Sequence, residues 1–347
     1  MFDFYPLNET RESSSLKAKR FINNGLVKVS SFADINKNQI VTETRNELEK
    51  AFQKKRFPRQ IDLHHIRNQD IQELVLNLFS SKEVKNLFKE LSQKSGSEVT
   101  LFPFIDVMRN YFSGPQCGFP GWHNDAGGEL PYYFCREKMR TGKYLFGKLS
   151  ISFQPNGIYG GNIDIAKATY KKYEKKSLRQ MISNISIKTF FKIYKRSPSF
   201  RLLGKDQWVS DYLSIITNPK TVSPDPLDVI AFEHRLYHRG TPASPNGWKE
   251  LKKRIPTLSI ENFKIPGDIN LDEKNKYIIY AHFGNIFGLQ SYIYDRSRRD
   301  LWKQEKKRWL EQYKFLELFK SEFQNSSVFF QKVLEIKGIE LNNNFRD

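Results

Sequence analysis

The sequence predicts an α+β protein with a mainly β core and helical flanks. Apolar residues recur at helical spacing in the first 98 residues, while the middle of the chain is rich in aromatic and β-branched residues that alternate with polar ones. A polar segment near the C-terminus then carries apolar residues at helical spacing again. With 347 residues, 39% hydrophobic and 14% aromatic, the chain is long and apolar enough to form a folded globule.

Residues 1–98 are predicted to form an N-terminal helical flank packed on the core. After residue 69, apolar residues return every three or four positions in two successive runs. The two runs are Ile71, Leu74, Val75, Leu78 and Phe79, and then Val84, Leu87, Phe88 and Leu91.

Residues 99–265 are predicted to form the β core. The segments VTLFPFIDVMRNYF, KYLFGKLSISF, GGNIDIAKATY, PLDVIAF and RIPTLSIENF have the composition and alternation of strands. A basic, irregularly helical stretch at about 171–211 reads as an insertion between core strands. Residues 266–347 are expected to be a C-terminal segment with amphipathic helices, on the pattern of Leu301, Trp302, Trp309, Leu310, Tyr313 and Leu316.

The chain is strongly basic, with 57 Lys and Arg against 38 Asp and Glu and a formal net charge of +19. Such an excess favours anionic partners such as phosphates, nucleotides, CoA, nucleic acid or a membrane surface, although a basic surface without a specific partner has the same composition. No zinc-finger, RNP-like or helix-turn-helix pattern is visible, so nucleic acid is not the expected partner.

Cysteine usage and the N-terminus predict the compartment. Cys117 and Cys135 cannot form a disulfide framework, which fits a reducing environment. The N-terminus has no unbroken apolar region of the kind found in secretory signals, and no apolar run reaches the 18 residues of a membrane span. We expect a soluble, cytoplasmic protein.

The segment GFPGWHNDAGG places His123 and Asp125 two residues apart. In an extended strand such residues project from one face, so an imidazole and a carboxylate can bind one metal ion together. The pair alone is more often structural, and a metal site requires a third ligand.

The third ligand is offered by PLDVIAFEHRLYHRGTP, where an apolar strand leads to His234 and His238. Four residues apart on one strand, the two histidines would share a face and compete for the role. Two histidines and one carboxylate leave an open face on Fe(II) for oxygen and a bidentate co-substrate. Downstream, Arg254 opens a strand-like run, and an inward arginine is a natural anchor for a dicarboxylate.

Taken in this order, these segments resemble the phytanoyl-CoA dioxygenase family of the Fe(II)/2-oxoglutarate-dependent oxygenases. The resemblance covers about residues 99–264. The residues that carry it are Trp122, His123, Asn124 and Asp125; Tyr159, Gly160, Gly161 and Asn162; Asp228, Val229, Ile230, Ala231 and Phe232; and His238, Arg239, Gly240 and Arg254.

The resemblance implies a double-stranded β-helix, that is, a cupin-like jelly roll. It implies that His123, Asp125 and His238 bind iron, that Arg254 binds the distal carboxylate of 2-oxoglutarate, and that Asn124 lies near this co-substrate. Two features depart from the family. The spacing from His238 to Arg254 is long, which leaves Lys252 or Lys253 as alternative anchors, and the insertion is longer than expected between core strands.

The other histidines and the cysteines have less specific surroundings. His234 is expected to be a partly buried neighbour of the site, and His64 and His65 are expected on the surface or in a helix cap. His282 is expected to be a packed histidine, with a place at the border of the pocket as the alternative. Cys117 and Cys135 are given no role because no general base adjoins them.

The predicted function is therefore that of an Fe(II)/2-oxoglutarate-dependent dioxygenase using O2 and releasing succinate and CO2. It would hydroxylate an unactivated C–H bond of a small metabolite that carries a phosphate, carboxylate, nucleotide or CoA group. Asp125 favours hydroxylation over halogenation, since related halogenases have a small residue in place of that carboxylate, whereas desaturation, epoxidation and cyclisation would use the same site. The alternative is a polyanion- or nucleic-acid-binding protein on a β-helix scaffold, which would not need the ligand set.

Overall fold

The computed structural model describes residues 12–53, 60–111, 125, 143–153, 163–166, 220–240, 253, 275–289 and 311. The helices are α1 (Ser14–Asn24), α2 (Lys37–Gln53), α3 (Gln69–Phe79) and α4 (Lys82–Ser95), with a 3-10 turn at Leu63–His65. The strands are β1 (Leu26–Ser30), β2 (Gln60–Asp62), β3 (Thr100–Tyr111), β4 (Phe146–Ser152), β5 (Ile163–Ala166), β6 (Lys220–Val222), β7 (Val229–Glu233), β8 (Tyr237–Gly240) and β9 (Asn275–Gly284).

The predicted helices of the N-terminal flank are confirmed, and their ends follow from local chemistry. Helix α3 begins where the Asn68 side chain accepts a hydrogen bond from the Ile71 backbone N–H, and Ser81 caps α4 in the same way. Helix α4 ends at Gly96, whose φ of 63° is the left-handed conformation that glycine adopts without strain. Most of the apolar residues that made these helices predictable are buried against the core.

The main sheet has six antiparallel strands in the order β1-β7-β4-β9-β3-β2. One face packs against the helices. Its side chains belong to one hydrophobic cluster with those of α1 to α4, for example Leu149 on β4 and Ile279 on β9. Because alternate residues of a strand point to this face, each strand has an apolar residue at every second position.

A second antiparallel sheet has three strands in the order β6-β5-β8 and covers the other face of the main sheet. Ile165 of this sheet packs with Ile230 and Phe232 of strand β7 in a separate hydrophobic cluster. Two antiparallel sheets with flanking helices confirm the α+β prediction. The double-stranded β-helix as such stays a prediction.

The main sheet includes three strands that lie outside residues 99–265. Strand β9 lies between β3 and β4 although it follows residue 266, and β1 and β2 come from the N-terminal flank. Sequence patterns find strands but not their spatial neighbours, so they did not place these strands in the core. The three-part division of the chain stays a prediction; the insertion at 171–211 and nearly all of 290–347 lie outside the described residues.

Within the described part of the chain, no helix combines the length and the apolar composition needed to cross a membrane.

Candidate active site

The candidate site lies on the inner face of the main sheet, which looks toward the second sheet. On β4, Lys148 is the direct neighbour of Phe232 on β7 and of His282 on β9. Residues in register across a sheet project from the same face, so these three side chains line one surface between the sheets.

His238 is oriented by the turn that brings the chain from β7 into β8. Its Nδ1 lies 2.9 Å from the Leu236 carbonyl oxygen, and its ring packs against Phe232 with centroids 5.0 Å apart. Because a carbonyl oxygen only accepts hydrogen bonds, Nδ1 carries the proton in neutral His238 and Nε2 keeps its lone pair. That lone pair is the one a metal ion requires.

Asp125 faces this histidine. Its backbone N–H donates to the His234 carbonyl oxygen at 3.0 Å, which fixes the position of the residue relative to the turn. Its Oδ2 lies 3.6 Å from the His238 Nε2 and 3.0 Å from the Lys148 Nζ. The Asp125 carboxylate oxygen therefore lies close to both the His238 imidazole and the Lys148 ammonium group, between the two sheets.

Strand β9 adds the partly buried Tyr280 and the buried His282 to the same surface. The Lys148 Nζ lies 5.1 Å from the centre of the Tyr280 ring, a cation–π contact. Burial raises the pKa of the Tyr280 hydroxyl well above its ordinary value, and the negative charges of Asp125 and Asp106 raise it further. Tyr280 is therefore neutral at physiological pH.

His282 is held by Asp106, with its Nε2 3.2 Å from the Asp106 Oδ2. Burial lowers the pKa of His282; the bond to Asp106 opposes this shift, and the charge of Lys148 adds to it. The imidazole is thus neutral at physiological pH and donates its Nε2 proton to the carboxylate. The prediction of a packed histidine is confirmed, and His282 also borders the candidate site through its register with Lys148.

Two of the predicted site residues, Asp125 and His238, are brought together. The others, His123, Asn124, Arg254 and Lys252, lie outside the described residues. Lys253, the remaining alternative anchor, is described and is exposed.

His234 does not share a strand face with His238, as the sequence analysis had assumed. Strand β7 ends at Glu233 and β8 begins at Tyr237, so His234 lies in the turn between them and not on the strand of His238. The His234 ring packs against Phe146 with centroids 4.2 Å apart, and the residue is 3% exposed, hence fully rather than partly buried. Its backbone carbonyl oxygen accepts the hydrogen bond from the Asp125 N–H.

Sequence reasoning missed Lys148, Tyr280 and Asp106. A signal for Lys148 existed, since it is a charged residue at an inward position within the strand segment KYLFGKLSISF. Nothing in the sequence alone shows that β9 adjoins β4, so Tyr280 could not be assigned to the site.

A second group of metal-ligand type lies at the edge strand β2. Asp62, His64 and His65 offer ligand atoms that all lie within 4.8 Å of one another. The predicted helix-cap role is confirmed for His65, whose Nδ1 accepts a hydrogen bond from the Asp62 backbone N–H. Asp62 thus places a carboxylate beside the two histidines.

Comparisons with known proteins found no matching family model and no similar curated protein. Among solved structures, the α-ketoglutarate-dependent epimerase SnoN from nogalamycin biosynthesis is 12% identical, with 78% of this chain and 81% of that chain covered and a TM-score of 0.42. EctD from S. alaskensis with 2-oxoglutarate and 5-hydroxyectoine is 10% identical, with 80% and 78% covered and a TM-score of 0.43. The carbocyclase SnoK is 9% identical, with 80% and 85% covered and a TM-score of 0.40. At such distance the proposed function depends on this chain's own geometry.

Proposed function

We propose that this protein is a non-haem Fe(II)/2-oxoglutarate-dependent oxygenase. Asp125 and His238 provide two of the metal ligands, and His123, two residues before Asp125, provides the third. The product would be a hydroxylated small anionic metabolite, with succinate and CO2 released.

The observation that carries the proposal is the juxtaposition of Asp125 and His238. The two residues are far apart in sequence, yet the Oδ2 of one and the Nε2 of the other lie 3.6 Å apart. The Leu236 carbonyl fixes the His238 tautomer that leaves Nε2 free to bind a cation. An acceptor pair of this kind between two sheets fits a divalent ion that binds nitrogen and oxygen ligands.

The other described residues position and enclose the site. The His234 carbonyl holds the Asp125 backbone, and Phe232 packs against the His238 ring. The neutral side chains of His282, which is buried, and Tyr280, which is partly buried, lie next to Lys148 and help to exclude water. Iron, when bound, would supply the activation of O2 that the side chains themselves cannot provide.

The proposed reaction is balanced by its co-substrate. Oxidative decarboxylation of 2-oxoglutarate to succinate and CO2 takes up one oxygen atom of O2, and the other atom enters the C–H bond of the prime substrate. Hydroxylation is proposed because Asp125 retains the carboxylate ligand. Desaturation or ring closure would start from the same site and is distinguished by the mass of the product.

A polyanion-binding protein is the second candidate, and the net charge of +19 favours it. The two candidates differ in their need for metal. Only the oxygenase requires Asp125 and His238 to act as ligands, whereas binding through a basic surface is independent of them.

The test is anaerobic calorimetric titration of the metal-free protein with Fe(II), followed by measurement of succinate formed from 2-oxoglutarate in air. His123→Ala, Asp125→Ala and His238→Ala should each weaken Fe(II) binding at least tenfold and abolish succinate formation, because three ligands share one ion. His234→Ala should retain Fe(II) binding and succinate formation, since His234 lies in the turn before strand β8 and its ring packs against Phe146.

Binding at the edge-strand group must be separated from binding at the site. A His64→Ala/His65→Ala double variant removes two of that group's ligands and should leave succinate formation unchanged. Full Fe(II) binding and turnover in Asp125→Ala and His238→Ala would overturn the proposed function.

A further inference from the structure

We infer that Asp62, His64 and His65 form a second metal site, which binds Zn(II) at the edge of the main sheet. The inference goes beyond the proposed function and does not depend on it, because none of the three residues belongs to the proposed iron site. Strand β2 is an edge strand of the described main sheet, and the three residues lie at its end and in the 3-10 turn that follows.

The three residues supply ligand atoms that zinc binds. Imidazole nitrogen and carboxylate oxygen both bind Zn(II) at about 2.0–2.2 Å, and three protein ligands commonly leave one position for water. The ligand atoms of this group all lie within 4.8 Å of one another. Tetrahedral bonds of that length place ligand atoms about 3.3–3.6 Å apart, so zinc binding requires the group to contract by about 1.5 Å at most.

The turn that carries the histidines is fixed on both sides. Leu63 and Ile66 are both 1% exposed and belong to the main hydrophobic cluster. The Ile66 N–H donates to the Leu63 carbonyl oxygen at 3.0 Å, and the Ile66 carbonyl oxygen accepts a hydrogen bond from the Gln72 side chain of α3 at 2.6 Å. Between these anchors, His64 and His65 are half-buried and their ring centroids lie 4.1 Å apart. The two imidazoles are therefore held next to each other at a place that solvent reaches.

The charge distribution around Asp62 is the second argument for a cation. Asp62 is 3% exposed, and burial of a carboxylate is costly unless its charge is compensated. Its direct neighbour in register on strand β3 is another carboxylate, Asp106. Asp106 is hydrogen-bonded to His282, which is neutral and adds no positive charge. Because like charges directly opposite each other destabilise a strand pair, a divalent cation bound by Asp62 would stabilise the pairing of β2 with β3.

Zinc binding would cost one weak hydrogen bond of His65. Its Nδ1 accepts a hydrogen bond from the Asp62 backbone N–H at 3.3 Å, which is longer than the usual range of about 2.7–3.2 Å. If Nδ1 binds the ion, this bond is lost directly. If Nε2 binds the ion, the ring proton moves to Nδ1, which can then no longer accept. Either way the same weak bond is lost, so the capping role of His65 does not prevent metal binding.

The test is calorimetric titration of the metal-free, full-length protein with Zn(II). It uses the Asp125→Ala/His238→Ala variant, which lacks two ligands of the proposed iron site, and we expect this variant to bind one equivalent of zinc. Adding Asp62→Asn, or His64→Ala together with His65→Ala, should weaken zinc binding at least tenfold. The reason is that loss of a group that only orients a metal ligand already costs about 10–100-fold in affinity.

Asp70→Asn, in the same variant, is the matched control. Asp70 is an exposed carboxylate in the first turn of α3, so its loss removes the same charge from the same part of the chain without removing a ligand. Zinc affinity should be unchanged. An equal loss of affinity in Asp70→Asn and Asp62→Asn would show a general effect of charge and would overturn the assigned site.

A second measurement is the midpoint of urea denaturation with and without zinc. Zinc should raise the midpoint of the Asp125→Ala/His238→Ala variant, because an ion that binds only the folded protein stabilises it, and the rise should vanish with His64→Ala/His65→Ala. Since both histidines are half-buried, this variant tests the site even if Asp62→Asn does not fold. Absence of zinc binding to the Asp125→Ala/His238→Ala variant, or unchanged affinity after loss of both histidines, would overturn the inference. Neither result bears on Fe(II) binding by Asp125 and His238, which the wild type and its single variants test separately.

Discussion

Lys276 shows what burial of a charge does at a single residue. It lies on strand β9 and is 5% exposed. Burial lowers its pKa from 10.5 to about 8, while the negative charge of Asp164 opposes the shift. The folded protein therefore binds the proton of Lys276 less tightly than the unfolded chain does.

The sign of the resulting pH dependence follows from that difference. Between pH 8 and 10.5 the unfolded chain keeps the proton and the folded protein releases it, so the free energy of unfolding should rise with pH in this window. Below pH 8 both forms are protonated and the full cost of the buried charge remains.

Lys276→Met should remove this cost. Because one pKa unit corresponds to 1.36 kcal/mol, we expect the stability of the variant relative to wild type to fall by up to about 3 kcal/mol as pH rises from 7 to 10.5. Urea denaturation at several pH values measures it. A stability difference that does not change with pH would contradict the assigned burial of the charge.

The candidate site was predictable at the level of residue pairs, but not at the level of its surroundings. His-x-Asp spacing predicted Asp125, and the apolar strand before FEHRLYH offered His234 and His238, of which the family resemblance favoured His238; these patterns are local. Lys148 and Tyr280 join them through strand pairing between residues that are distant in sequence, and no local periodicity encodes that pairing. His234 and His238 do not lie on one strand because the chain turns between β7 and β8, and the sequence FEHRLYHRG has no Gly or Pro before His238 that would predict this turn.

Among the elements, strand β4 is central because it pairs with β7 on one side and β9 on the other. Gly147 precedes Lys148 on this strand and faces the helices. A Cβ atom at this position would lie 2.6 Å from the Phe283 ring and 2.8 Å from the Phe232 carbonyl oxygen. Neighbouring strands can therefore approach only because residue 147 has no side chain.

Gly147→Ala should destabilise the protein by about 1–3 kcal/mol, since backbone atoms of β7 would have to move. The loss is measured as a shift in the midpoint of urea denaturation. Gly96→Asn serves as the control: no atom lies within 4 Å of the added Cβ, and asparagine tolerates the left-handed conformation. Equal stability of Gly147→Ala and wild type would contradict the tight packing of β4.

The elements also show why the fold class was predictable and the sheet order was not. Helices α3 and α4 and strands β3, β4, β5 and β7 coincide with segments identified from periodicity. The position of β9 between β3 and β4 is a non-local property: its apolar run KYIIYAHF fits any sheet in which both faces are covered.

For the whole molecule, the excess of positive charge bears on the prime substrate. We propose that the substrate carries a phosphate, carboxylate, nucleotide or CoA group that is bound by the basic insertion. Between Lys171 and Arg201 the sequence has ten Lys and Arg residues and a single acidic residue, Glu174. In sequence, the insertion lies between strands β5 and β6 of the second sheet, the sheet that covers the site.

Binding of an anionic substrate by this insertion should depend on salt. Attraction between solvated charges acts over about 8 Å at physiological ionic strength, so kcat/KM should fall as salt rises from 50 to 500 mM. A variant with Lys171, Lys172, Lys175 and Lys176 changed to Gln should show a lower kcat/KM at low salt and a shallower dependence on salt, because fewer charges remain to be screened. Its affinity for 2-oxoglutarate should be unchanged, since the proposed metal ligands His123, Asp125 and His238 are retained. A matched variant of Lys82, Lys85, Lys89 and Lys94 on helix α4, which removes the same charge from the helical flank, separates a local effect from one of net charge. Equal losses in the two variants, or a kcat/KM that does not respond to salt, would show that the insertion does not bind the substrate.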